Sequence, residues 1–341
     1  MILGAQFLPE DFPVYLDSVR KADEVGYERA WLVDGQMLWQ DLYVYMAHGL
    51  AATERIVFGP AVTNPLTRHF TVTASTIATL ADLHPGRVIL GIGRGDNAVR
   101  TLGLDPVPTK QLADVVPKIR KLIAGEPIDF EGTEVRIRWA DEHVPIMMPA
   151  TGPKNLRRAG ALADVVMIYV GVHPASVRWA IDHVRAGAEE AGRDPDAVEI
   201  ALLCAMWVSE DQQQAWDTCR WAPAACANHI ADTMRRNVDH GMPETMTRLV
   251  QARDEYDYYA GHLDSKAEHT AYLTGDLIDD FALAGPPERC LARIRELAEL
   301  GVHEISTAYL NGELAQMERV GSEIIPELPG LGREALREEV V

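Results

Sequence analysis

Two stretches of this chain hold residues that could do chemistry. Residues 59–69 read GPAVTNPLTRH, and residues 86–96 read GRVILGIGRGD. Each is an apolar run cut off by glycine, proline and polar side chains, the pattern of a buried strand that ends in a loop. Parallel α/β proteins gather their working groups where strands end. In the second stretch Gly93 and Gly95 allow the backbone to approach a ligand closely, and a helix start just beyond favours an anion. Asp96 there is placed to cap that helix. A third junction, LVDGQ at 32–36, puts Asp34 and Gln36 at a strand's C-terminal end. A fourth, MPATGPK at 148–154, again runs from a strand through a Gly-Pro turn into a helix, with Lys154 as a nearby charge.

The elements that must position these groups alternate for almost the whole chain. Strand-like runs fall at 2–7, 29–33, 56–62, 87–92, 145–149, 165–169, 199–208 and 304–309. Helical pattern separates nearly all of them; Leu16, Val19 and Ala22 make one apolar stripe. Eight β-α units predict an α/β fold of the (β/α)8 TIM-barrel type rather than an open doubly wound sheet. Two insertions are expected. Residues 128–138 alternate about Glu131-Gly132 and read as a hairpin. The stretch from about 210 to 285 is too long for one barrel unit and carries Trp216, Trp221, Met234, Met242 and Met246 in helical sequence. It reads as a helical insertion before the last strand, serving as a lid, a dimer surface or both. The expected organisation is one barrel domain over 1–330 and a loose Glu- and Arg-rich tail over 331–341.

Composition excludes several classes of function. The 341 residues are 47% hydrophobic, ample for a large core. A formal charge of −19 argues against nucleic acid as a partner. No apolar run reaches the roughly 20 residues that cross a bilayer, and no signal stretch precedes the first strand, so a cytoplasmic protein is expected. Cys204, Cys219, Cys226 and Cys290 form no C-x-x-C pair, and no Cys/His cluster has metal-ligand spacing. His229, His240, His262 and His269 in the long insertion likewise match no metal motif, and His69 reads as a capping or packing residue. GIGRGD at 91–96 lacks the third glycine of a dinucleotide fingerprint and follows the fourth strand, not the first.

The order GPAVTNPxTRH, a Thr- and Ala-rich helix, then GRxxLGIGxGD resembles the bacterial luciferase-like superfamily. It is most similar to the branch that uses the deazaflavin coenzyme F420, which includes the methylenetetrahydromethanopterin reductases. That resemblance implies a barrel, a homodimer, a small organic substrate and hydride transfer at the deazaflavin C5. It places a non-prolyl cis peptide at Ala61-Val62, with Val62 behind the ring and Thr63 and Asn64 offering polar contacts. Gly93, Arg94, Gly95 and Asp96 would touch the cofactor, and Asp96 matches an acidic residue that works near the ring in some relatives. Ala150, Thr151 and Gly152 would meet its side chain or phosphate, and Tyr169, Val170 and Gly171 its phosphate and tail. Asp34, Gln36 and Asp96 are the expected catalytic groups. Relatives read Asp-His where this chain has Asp34-Gly35, so the proton route through that imidazole is missing. The same barrel also suits an FMN-dependent monooxygenase, or a non-catalytic flavin-fold binding protein.

Overall fold

The computed structural model describes residues 1–236, 241–252, 265–266, 270–309 and 312–331. The chain begins β1 (Ile2–Phe7), α1 (Phe12–Val25), β2 (Arg29–Leu32), α2 (Leu42–Ala52), β3 (Val57–Pro60) and α3 (Phe70–Leu83). It continues β4 (Leu90–Gly91), α4 (Asn97–Arg100) and α5 (Thr109–Ile123), then a hairpin of β5 (Ile128–Phe130) and β6 (Thr133–Val135). Then come β7 (Ile146–Ala150), α6 (Pro153–Leu162), β8 (Val165–Ile168), α7 (Pro174–Glu190), β9 (Glu199–Leu203) and β10 (Ala205–Val208). The long insertion supplies α8 (Gln212–Cys219), α9 (Trp221–Arg236), α10 (Glu244–Ala252), α11 (Gly275–Asp279) and β11 (Ala282–Gly285). The chain closes with α12 (Pro287–Leu300), β12 (Glu304–Ala308) and α13 (Leu314–Glu323).

Eight parallel strands form one sheet in the order β3-β2-β1-β12-β9-β8-β7-β4. Parallel bridges Phe58 to Val88 and Thr63 to Ile92 bring its two edges together and close the barrel. That closure depends on Gly91: a Cβ there would lie 1.8 Å from the Pro60 carbonyl oxygen. All eight strand-like runs of the sequence are strands of this barrel, and the 128–138 hairpin is the antiparallel pair β5 and β6. One run differs. Residues 199–208 break at Cys204, after which β10 leaves the wall and pairs in parallel with β11. The insertion therefore ends in a strand, not in helix.

Alternation along each strand separates two cores. Leu3, Ala5, Phe7, Ala30 and Leu32 point outward into the layer of helices, while Trp31, Ile89, Met147, Val165, Met167 and Ala201 fill the barrel itself. Trp31 is the large inner residue and is fully buried. Its Nε1 donates to Glu304 Oε1 at 2.7 Å, which satisfies a polar group that burial would otherwise strand. Room for that pair comes from glycine. A Cβ on Gly4 would stand 2.0 Å from Glu304 Oε1, and one on Gly59 would stand 2.8 Å from the Trp31 ring. Arg29 completes the plug, donating to Glu304 Oε2 at 2.8 Å and to Glu199 Oε2 at 2.6 Å. Burial pushes the Glu304 carboxyl up, and Arg29 and the Trp31 N–H oppose it.

The barrel's lower end is thus held by one buried ion pair. Replacing Arg29→Met leaves the Glu304 carboxylate buried with its main counter-charge gone. The expected loss is about 3–5 kcal/mol, the usual consequence of removing one partner of a buried pair. Urea unfolding would show it as a lower midpoint at unchanged slope; a midpoint equal to wild type would show that the pair holds nothing.

Candidate functional site

Above the plug the inner side chains become small, and a cavity of about 500 Å³ opens at the strands' C-terminal ends. Its floor is apolar: Ala61, Val62, Pro149, Met167, Leu203 and Ala308. Gln6 reaches the floor from β1, where its Nε2 lies 3.4 Å from Ser306 Oγ. The peptide between Ala61 and Val62 is cis. Gly93 keeps the adjoining wall low, since a Cβ there would lie 2.8 Å from Val62 Cγ2. Gly95 turns the next loop with φ +89°, a conformation that other residues rarely adopt.

The rim is polar and mostly cationic. Arg94 Nε donates to the Val107 carbonyl at 2.6 Å, which fixes its guanidinium beside the cavity. Arg100 Nε donates to Asp96 Oδ1 at 2.7 Å. Lys154 and Asn155 stand in the first turn of α6, which follows Gly152 directly. A Cβ on Gly152 would meet Thr233 Cγ2 at 2.6 Å, so the α6 start and α9 close on each other only with glycine there. Backbone N–H groups at such a start favour an anion.

The roof comes from the insertion. Trp221, Ala225, His229 and Thr233 recur every fourth residue on one face of α9, and all four line the cavity. Tyr169 links wall to roof: its hydroxyl donates to the Ala222 carbonyl at 2.8 Å, and its ring meets His229 edge-on with centroids 5.5 Å apart. His229 Nε2 lies 3.8 Å from Asp96 Oδ2.

Of the residues singled out in the sequence, Ala61, Val62, Gly93, Arg94, Gly95, Asp96, Ala150, Thr151, Gly152 and Tyr169 all line this cavity, as does Lys154. The others sit behind its wall. Thr63 and Asn64 are fully buried, and Asn64 Oδ1 accepts from the Leu66 and Thr67 N–H groups, so it builds the turn. Val170 is fully buried, and Gly171, at φ +80°, has the Asp280 carbonyl where a side chain would go. Gln36 donates from Nε2 to the Ala98 carbonyl at 2.8 Å. His69 caps α3, its ring accepting from the Thr71 N–H. His240, His262 and His269 lie outside the described residues. Cavity residues that sequence reasoning did not single out include Gln6, Arg100, Ala225 and Thr233, and it gave Trp221 and His229 of the insertion no place in a cavity. A four-residue recurrence in α9 was the available signal.

Asp34 is a special case. It is buried behind the wall, 3.8 Å from Arg68, whose guanidinium lies over the Tyr43 ring. Burial raises its carboxyl above the ordinary value, and Thr63 and Arg68 oppose this only in part. Burial likewise pushes the neighbouring Tyr43 hydroxyl up to about 12. At Gly35 the Trp39 ring occupies the space of a side chain: a Cβ would lie 2.8 Å from Trp39 Cε3. Among the described residues no group of three or more His, Cys, Asp or Glu could hold a metal ion. None of their helices is long and apolar enough to cross a membrane.

Residues 5–304 match the family described as luciferase-like monooxygenase, and the chain belongs to that family. A 5,10-methylenetetrahydromethanopterin reductase of Methanolobus tindarius is 30% identical over 338 residues, covering 95% of this chain and 100% of that one. The reductase of the same name from Methanopyrus kandleri is 30% identical over 356 residues, covering 95% and 97%. The solved coenzyme F420-dependent tetrahydromethanopterin reductase of Methanopyrus kandleri superposes with a TM-score of 0.76 at 24% identity, covering 95% of this chain and 98% of that one. It shows that the two share a fold.

The state of Asp34 is testable apart from any ligand. Its carboxyl is held above 3.8, so the fold favours the protonated form. Stability from that form is complete below 3.8 and is lost as pH rises through the raised value. Asp34→Asn keeps a neutral group at every pH. Its urea midpoint is expected to exceed wild type at neutral pH, with the difference closing as pH falls below 3.8. A variant weaker than wild type by a constant margin at all pH values would contradict this reading.

Proposed function

We propose that the cavity holds coenzyme F420 with the deazaflavin ring over Val62, and that the protein is an oxidoreductase acting on a small organic substrate. The observation that carries this is the pairing of an apolar, small-residue floor with a cationic rim in one slot. A flat tricyclic ring fits the floor formed by Ala61, Val62, Pro149 and Leu203. A phosphate and carboxylate tail fits Arg94, Lys154 and the α6 N-terminus. Both matches are local and hold despite the overall charge of −19. Proteins named F420-dependent glucose-6-phosphate dehydrogenase also align, as that of Microbacterium testaceum does at 31% identity over 64% of this chain.

Bound there, the deazaflavin supplies a hydride donor or acceptor at C5. The chain's own residues do the rest. Val62 and Ala61 cover one face of the slot, leaving the other for substrate under α9. Trp221 and Tyr169 exclude water from that side. Asp96, held by Arg100, stands where charge changes during transfer. Gly93 leaves Val62 its place in the floor, and Gly152 lets α9 close over the α6 start, because a side chain at either would strike Val62 or Thr233. Asp34 and Gln36 act as positioning residues for the loops and do not touch the reactants.

The assembly in this reading is a homodimer. Val44 on α2 and Val72 on α3, with Met37 and Leu66 in the adjoining loops, are large apolar side chains left exposed. Light scattering is expected to give twice the chain mass, and a monomer mass would remove the dimer from this account.

Fluorescence quenching tests the cofactor directly. F420 is expected to bind the purified protein stoichiometrically and far more tightly than FMN. Gly93→Ala, which presses on Val62, is expected to weaken F420 binding by roughly tenfold, about 1.4 kcal/mol, while leaving the melting temperature near wild type. Tight FMN binding without F420 binding would replace this reading with the FMN monooxygenase one.

A further inference from the structure

Beside Asp34 the Trp39 ring already fills the space above Gly35. An imidazole enters the cavity from a different element. His229 projects from the lining face of α9, with Nε2 3.8 Å from Asp96 Oδ2. Three contacts hold that pair in place. Arg100 Nε binds the other Asp96 oxygen at 2.7 Å. The Tyr169 ring meets the imidazole edge-on, and the Tyr169 hydroxyl is anchored on α9 itself through the Ala222 carbonyl. The His229 side chain is 40% exposed, so it can exchange protons with solvent between turnovers.

We propose that His229 is a catalytic proton-transfer residue with Asp96 as its partner, and that the substrate is a small carbonyl compound or the corresponding alcohol. This rests on the F420 reading above. The chemistry follows from the balance of the reaction. When the carbonyl carbon accepts a hydride from the reduced cofactor, it gains two electrons and one hydrogen. The C=O π pair moves to oxygen, which takes the proton leaving the His229 imidazole, and the cofactor ends oxidised by two electrons. Asp96, with Oδ2 3.8 Å from Nε2, positions the ring, and solvent restores the proton afterward. An iminium substrate would need no such proton, so an imidazole–carboxylate pair over the open face points to oxygen as the acceptor. The apolar floor, with Asp96 the one carboxylate among the described residues that line the cavity, favours a neutral substrate over a cationic one.

The test uses full-length protein loaded with F420. His229→Gln and His229→Ala are expected to bind F420 as wild type does. Their rate of ketone and aldehyde reduction by reduced F420 is expected to fall by roughly 100-fold or more, the ordinary worth of general acid catalysis. Added imidazole is expected to restore His229→Ala in part, which a purely structural histidine would not allow. A readout without turnover checks the placement. Diethyl pyrocarbonate should modify His229 in F420-loaded protein, as read by mass spectrometry, and a saturating secondary alcohol added to the reduced-F420 form should slow it. Wild-type rates in both variants, or modification unaffected by the alcohol, would overturn the proposal while leaving F420 binding intact. So would an enzyme that reduces iminium compounds but no carbonyl. Failure of wild-type protein to bind F420 would instead sink the cofactor reading, and this proposal with it.

Discussion

The interior of a closed eight-stranded barrel holds a limited volume of side chain, and everything else here follows from how that volume is shared. At the lower end one tryptophan and one ion pair take nearly all of it. Trp31, Glu304 and Arg29 fit only because Gly4 and Gly59 give up their side chains. At the upper end the inward positions are Ala61, Gly93 and Ala308, which leave the space empty. A filled floor beneath a hollow mouth makes a slot and not a pore. Swapping the large and small layers would give a stable barrel with nowhere to bind a ring.

The slot becomes a site through the parts added outside the barrel. The insertion lays α9 across the mouth, and its four-residue repeat turns Trp221, Ala225, His229 and Thr233 inward together. Tyr169, just past the end of β8, ties wall to roof by donating to a backbone carbonyl of that helix. The polar groups divide by depth. Arg94, Arg100 and Lys154 stand at the rim, where solvation is cheap and an anionic tail can lie. Asp34 and Tyr43 are buried behind the wall, where burial drives both toward their neutral forms. Neither side chain lines the cavity.

Much of this was legible in the residues. Apolar runs that stop at glycine or proline marked all eight barrel strands, because burial on both faces removes the polar positions that would blur the pattern. The loop residues 93–96 and 150–152 were legible for the same reason: strand ends in a barrel converge on one mouth. Other features depended on distance in space. Asp34 sits at a strand end as a working residue should, yet its side chain turns away under Arg68. Thr63, Asn64, Val170 and Gly171 adjoin cavity residues in sequence, but the first three are buried in the wall and Gly171 has the Asp280 carbonyl where a side chain would go. β11 is only four residues, ALAG, three of them small, and becomes a strand by pairing with β10. The recurrence in α9 marks the face that carries His229, but not its partner Asp96, which lies in another element far along the chain. The tail from 332 onward lies outside the described residues.

The central claim is that Val62 lies flat against one face of the bound ring. Methyl resonances report this, because protons over an aromatic face are shielded and protons at its edge are deshielded. With valine methyls labelled and Val62 assigned by a Val62→Ile variant, titration with F420 should move both Val62 signals strongly upfield, while distant valines such as Val184 stay still. Val62 signals that remain in place, or move downfield, while F420 binds would contradict the account.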